Sequence, residues 1–336
     1  MSSFAIGVDL GGTNLRIAAV ADDGRILEKV TTGTEVARGR DSVLDEMCGA
    51  IGRLAAGIAG GRKLAGIGIG VPGIIDMETG MLHESPNLPG WHNYPVRDEI
   101  ERRLKTRVVL ENDANCAALG EAWVGAARGS SDMCMITLGT GVGGGIVLGG
   151  RIWHGMTGMA GELGHITVVP DGVPCGCGNR GCIEQYASAS AVERMAREVL
   201  AEARAETARP GGKASEWTSK AVFEQARRGD KQAQGIFDTV GRMLGVLIAD
   251  LVNALNLPMY VIGGGVAGAW EAFSPALFEE VMKRSFVYAA TAPQGGKTRM
   301  RTEIRRAELG SDAGLIGAAR LPMVPAEREE HLQTRG

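Results

Sequence analysis

Aromatic residues make up only 4% of this 336-residue chain, and neither charge sign is in large excess, the formal net charge being −3. Without a basic patch the chain lacks the electrostatic footprint of a nucleic-acid binder. Long apolar runs are missing as well. The most apolar stretch, Met243 to Ile262, is broken by Asp250, Asn253, Asn256 and a proline, which excludes a membrane span. Met1 to Asp9 has no cationic start and only a short apolar run, so it does not read as a signal peptide. Six cysteines without an export signal imply a reducing compartment, where clustered thiols bind metal more often than they form bridges. The expectation is a cytoplasmic protein whose partners are small molecules, with no nucleic acid and no membrane.

What the chain does have is glycine, at 51 positions, in short clusters and not in a low-complexity tract. Hydrophobic content of 44% and charged content of 22% are those of an ordinary globular protein with room for two domains. Phe4 to Asp9 reads as a buried strand that meets Gly11-Gly12-Thr13-Asn14, and Leu15 to Val20 alternates as a second strand before Asp22-Asp23-Gly24 turns the chain again. Strand, glycine turn, strand is a hairpin. A dinucleotide-binding fold would place a helix after the glycines.

Asp41 to Ala59 has helical spacing, Lys63 to Val71 and Arg107 to Leu110 read as strands, and Ala114 to Trp123 as a helix. The opening pattern then returns. Met133 to Leu138 is followed by the glycine-rich Gly139 to Gly145 and by Ile146 to Leu148 as a further strand, which suggests two halves of related architecture with a boundary near residues 113–130. Ala233 to Ala254 reads as a buried helix, Met259 to Val266 as a strand ending in a third glycine turn, and Ala313 to Ala319 as the last helix. Residues 205–219 read as a surface loop and 322–336 as a polar tail.

Chemistry concentrates in two places. His165 is followed by Cys175, Cys177 and Cys182, four soft ligands within eighteen residues, with glycines that let the backbone fold tightly. A tetrahedral Zn²⁺ with all four positions taken by protein is structural, not catalytic; free thiols or a disulfide are the alternatives. The second place is the set of glycine turns at Gly11-Gly12, Gly141 to Gly145 and Gly263 to Gly265, whose N–H groups can approach a polyphosphate. Any one of them also serves as a plain hairpin. Asp9 adds a carboxylate suited to hydrated Mg²⁺, and Thr13 and Thr140 add hydroxyls.

Asp9-Leu-Gly-Gly-Thr-Asn14, Leu138-Gly-Thr-Gly-Val-Gly-Gly144, Gly263-Gly-Gly-Val266 and Gly-Glu162-Leu-Gly-His165 through Cys182-Ile-Glu184-Gln-Tyr together resemble the ROK sugar kinases, within the actin, hexokinase and Hsp70 ATPase superfamily. The resemblance covers nearly the whole chain and looks most like the glucokinase branch. It implies an α/β, two-domain, actin-like ATPase (ribonuclease H-like) fold with a deep interdomain cleft. The small N-terminal domain would span 1–115, with a C-terminal helix near 310–322 packing back on it. The large domain with the zinc site would span 116–310, leaving a tail at 323–336. It also implies transfer of phosphate from ATP to the 6-hydroxyl of glucose or a related hexose, and a homodimer or homotetramer.

By the same resemblance, Asp113 is the general base. From its position between a strand and a helix alone, Asp113 could equally be an Asx-type cap. Gly73, Asn87, Asn112, Asp113, Glu162, His165 and Glu184 are implied as sugar contacts. Asp9, Gly11, Gly12, Thr13, Asn14, Thr140, Gly141, Gly143, Gly264 and Gly265 are implied around Mg-ATP. His165 could bind zinc through one nitrogen and a sugar hydroxyl through the other. Cys48, Cys116 and Cys134 read as buried small hydrophobes, and Trp91, Trp153 and Tyr186 as packing residues. A sugar-responsive repressor of the same family would carry a helix-turn-helix before the first glycine turn, where eight residues precede Asp9. The N-acetylglucosamine and N-acetylmannosamine kinases, and polyphosphate as donor, stay open.

Overall fold

The apolar run from Phe4 forms β1 (Ser3–Leu10), which turns through the glycines into β2 (Asn14–Ala21) and then β3 (Ile26–Gly33). All three are antiparallel, with Asp9 opposite Arg16. The Gly11 N–H donates to the Asn14 carbonyl at 2.9 Å, so a strand and not a helix follows the glycines. The computed structural model describes residues 3–58, 60–85, 87–205, 217–291 and 301–324. Most of the expected loop at 205–219 and of the expected tail at 323–336 therefore lies outside the described residues.

After α1 (Arg40–Ile58), β4 (Lys63–Val71) joins β1 in parallel. A small hairpin of β5 (Ile74–Ile75) and β6 (Leu82–Glu84), then α2 (Val96–Leu104), lead to β7 (Val109–Asn112), parallel to β4, and to α3 (Asp113–Val124). The order is β3-β2-β1-β4-β7. The second sheet is built from β8 (Met133–Leu138), β9 (Val142–Leu148) and β10 (Arg151–Ile152), followed by α4 (Glu184–Ala187), α5 (Ala189–Ala205), α6 (Ser219–Arg227) and α7 (Lys231–Leu255). It is completed by β11 (Met259–Gly263), α8 (Trp270–Arg284), α9 (Phe286–Ala290) and β12 (Glu303–Arg306). Its order is β10-β9-β8-β11-β12, again three antiparallel strands followed by two parallel ones. The duplication visible in two short motifs thus extends to two whole sheets.

One compact unit comprises Met1–Val124, Gly155–Met159 and the segment from Ser311, which carries α10 (Ala313–Arg320); the other comprises Gly125–His154 and Ala160–Gly310. A division at residue 115 would cut α3, which stays whole in the first unit because it packs along α10. Each unit has its own core. In the first, Ile6 and Val8 of β1 meet Leu44, Met47 and Ile51 of α1, whose three-to-four-residue spacing puts them on one face. In the second, Ile136 and Ile262 meet Phe237, Leu244 and Ile248 of α7, whose first turn is capped by the Asp230 carboxylate. Trp91 is buried, edge-on to Tyr94. Trp153 corrects the expectation of packing: it is 53% exposed, because it follows β10 at the rim of its sheet where no strand covers it. Among the described residues no helix is long and apolar enough to cross a membrane.

The glycine run after β8 is not one loop. The turn takes only Gly139 to Gly141, and Gly143 to Gly145 belong to β9, opposite Thr137, Ile136 and Met135. A Cβ on Gly144 would stand 2.5 Å from the Leu163 side chain, so there glycine admits the neighbouring chain. A similar close approach seats α10. A Cβ on Gly317 would lie 1.7 Å from the Cys116 carbonyl oxygen, and one on Gly68 would lie 1.9 Å from that of Ala318. Backbone cannot yield as a side chain tip can, so Gly317→Ala is expected to destabilise the protein by about 3 kcal/mol. Chemical denaturation should show the midpoint falling with the slope unchanged; an unaltered midpoint would remove this account of α10 docking.

Candidate active site

In the first unit the Glu111-Asn112-Asp113 segment closes β7 and opens α3. Asn112 Oδ1 accepts from the Ala114 N–H at 2.9 Å and the Asn115 N–H at 3.3 Å, so the helix is capped by Asn112. Asn112 Nδ2 points the other way, toward the Gly73 carbonyl at 3.4 Å. Gly73 has φ +119°, and a Cβ there would stand 2.1 Å from the Glu84 carbonyl oxygen, so only glycine fits. Asp113 is exposed, with Oδ1 accepting from the Ala114 N–H at 2.9 Å. Beneath it the buried Glu111 carboxylate accepts from the Asn112 N–H and from Asn115 Nδ2, both at 2.9 Å, which stiffens the turn that carries Asp113.

The first glycine turn packs on the Asn87 backbone, whose carbonyl oxygen is 2.4 Å from where a Cβ on Gly12 would sit. Thr13, Asn14 and Asn87 are exposed. Asp9, at the end of β1, forms an ion pair with Arg16 at 2.6 Å, and Arg16 also donates to the Ser311 carbonyl. Burial pushes the Asp9 carboxyl above its ordinary range while the guanidinium draws it back. The first turn of α10 stands behind both carboxyl residues: a Cβ on Gly314 would be 3.6 Å from Asp9 Oδ2 and 3.8 Å from the Asp113 carbonyl oxygen. Cys116 lies nearby, its thiol held well above the ordinary range by burial and then by Glu111, Asp9 and Asp113.

In the second unit, Thr140, Gly264 and Gly265 are exposed and Gly141 is half-buried. Gly264, at φ +87°, seats the third glycine turn on Leu138: a Cβ there would lie 2.4 Å from the Leu138 carbonyl oxygen. Glu184 Oε2 accepts from the Val142 N–H at 3.0 Å, beside the turn.

The ligand atoms of His165, Cys175, Cys177 and Cys182 all lie within 4.8 Å of one another. The Cys177–Cys182 sulfur separation is 3.7 Å and Cys175 Sγ to His165 Nδ1 is 3.8 Å. The edge of a tetrahedron with zinc–sulfur bonds of 2.3 Å is about 3.8 Å, so the donor set fits one zinc ion. His165 turns Nδ1 to the thiols and Nε2 to Glu162, whose Oε2 is 4.0 Å away. Cys175 and Cys182 are buried and Cys177 is exposed.

Arg16 and Glu111 are additions to the residues expected from sequence. Arg16 could have been found by counting back across the hairpin from Leu10 and Leu15 to Asp9 and Arg16. Nothing in the sequence marks Glu111 as buried.

Residues 5–323 match the ROK family. The chain is 41% identical to a glucokinase of Halalkalibacterium halodurans over 315 residues, covering 93% of this chain and 92% of that one. Among solved structures it resembles the ROK hexokinase of Thermus thermophilus, at 36% identity and TM-score 0.76 over 95% of this chain and 97% of that one. It also resembles a ROK family glucokinase of Streptomyces griseus in complex with glucose and AMPPNP, at 36% identity and TM-score 0.73, covering 95% and 99%. With two sheets of matching topology, three glycine turns and a Cys3His cluster in place, the chain belongs to the ROK family and has its actin-like ATPase fold.

Proposed function

We propose that the protein is an ATP-dependent glucokinase. The observation that carries this reading is the head of α3, where Asn112 Oδ1 caps the helix and Asp113 stands beside it with its side chain exposed. The glucose and AMPPNP bound by the Streptomyces griseus relative support the choice of sugar and nucleotide. Asp113 accepts the proton of the 6-hydroxyl as the bond from O6 to the γ-phosphorus forms and the bond from that phosphorus to the β-phosphate oxygen breaks, releasing ADP.

Gly73, Asn87, Asn112, Glu162, His165 and Glu184 supply the hydrogen-bonding groups that a ligand made of hydroxyls requires. Gly11, Gly12, Thr13 and Asn14 in the first unit and Thr140, Gly141, Gly143, Gly264 and Gly265 in the second would contact the nucleotide, and Asp9 would hold hydrated Mg²⁺, which would neutralise phosphate charge. Zinc, held by His165 Nδ1 and the three thiolates, would supply a closed scaffold with no open coordination position.

An ADP-release assay across glucose, mannose, fructose, N-acetylglucosamine and N-acetylmannosamine, with ATP and with polyphosphate, tests the assignment. Glucose with ATP is expected to exceed the N-acetyl sugars in kcat/KM by about 100-fold. Faster turnover of an N-acetyl sugar would overturn the substrate, and turnover of no sugar would remove the kinase reading.

A further inference from the structure

The segment that leaves the last cysteine of the cluster holds the second glycine turn at three successive points. Glu184, two residues after Cys182, accepts from the Val142 N–H through Oε2 at 3.0 Å. The Ala189 N–H donates to the Gly139 carbonyl at 2.8 Å, and Ser190 Oγ donates to the Thr140 carbonyl at 2.9 Å. The other oxygen of Glu184, Oε1, lies 3.9 Å from Cys175 Sγ. Its Oε2 also fills the space beside Gly141, standing 2.4 Å from where a Cβ would be. One carboxylate therefore touches both Cys175, one of the four candidate ligands, and the end of the turn.

We propose that Glu184 is a positioning residue for the nucleotide, through which the metal cluster sets the geometry of the second glycine turn. This rests on the kinase reading and extends it: loss of the metal would weaken nucleotide binding, not only sugar binding. The physical reason is that a hydrogen bond from a backbone N–H to a charged acceptor fixes the turn in one conformation before the phosphates arrive. Removing the acceptor lets the turn sample others, and binding then has to reorder it.

The test is titration of Mg-AMPPNP, without sugar, into zinc-loaded wild type, Glu184→Gln, Glu184→Ala and chelated wild type, with metal content and unfolding midpoint measured on each. Glu184→Ala and chelated wild type are expected to bind about tenfold more weakly, and Glu184→Gln within about threefold of wild type, since a carboxamide oxygen still accepts from Val142. Chelating Glu184→Ala should cost nothing further. Wild-type affinity in Glu184→Ala, or an equal loss on chelation in both proteins, would overturn the proposal. Should Glu184→Ala fail to fold, chelated wild type decides: an affinity about tenfold weaker with the fold retained supports the coupling, and an unchanged affinity overturns it. Zinc-loaded wild type that binds no nucleotide would overturn the kinase reading as well.

Discussion

Asp113→Ala is expected to lower kcat for glucose by about 10³-fold, or about 4 kcal/mol in barrier height, while the Kd for glucose changes by less than about threefold. The split follows from the role. A base works as its proton is transferred, so its removal costs the transition state far more than the ground state. The loss of folding stability should be small, because Asn112 Oδ1 still accepts from the Ala114 and Asn115 N–H groups when the Asp113 contact to Ala114 is removed. Calorimetric glucose binding beside turnover is the measurement. Near wild-type turnover would show that Asp113 is not the base.

Cys177→Ser gives the second large effect. Cys177 is exposed, so serine there sacrifices little packing, and the variant is expected to lose zinc binding. A site loaded at about 10³ times its Kd contributes about 4 kcal/mol to stability. For a unit of this size that is a fall in melting temperature of roughly 10 °C. Elemental analysis should find zinc in the wild type and none in the variant, a chelator should reproduce the fall in wild type, and the KM for glucose should rise as His165 loosens. A zinc-free variant with unchanged melting temperature and KM would end the structural role of the metal.

Much of this was legible from short-range pattern. β4 runs over the very residues read as a strand, α7 differs from its expected span only at the ends, and the hairpin at Gly11 is visible in six residues. The cysteine spacing implied a four-ligand cluster, and the fold brings those ligands together. The misses share one cause. Gly143 to Gly145 read as loop because glycine disfavours strands, yet β9 needs them where Leu163 and Gly161 press against it. Trp153 read as a packing residue because tryptophan is apolar, but its place at a sheet rim leaves it uncovered.

The sequence by itself determined the elements of strong periodicity, the duplication and the ligand spacing, because helical and strand periodicity and ligand spacing are set by neighbours a few residues apart. Tertiary structure alone decided who holds whom. Arg16 on Ser311, Gly317 against Cys116, and Glu184 on Val142 are choices among groups of similar chemistry. Only close packing across long stretches of chain brings one of them within 3 Å and shuts out the rest.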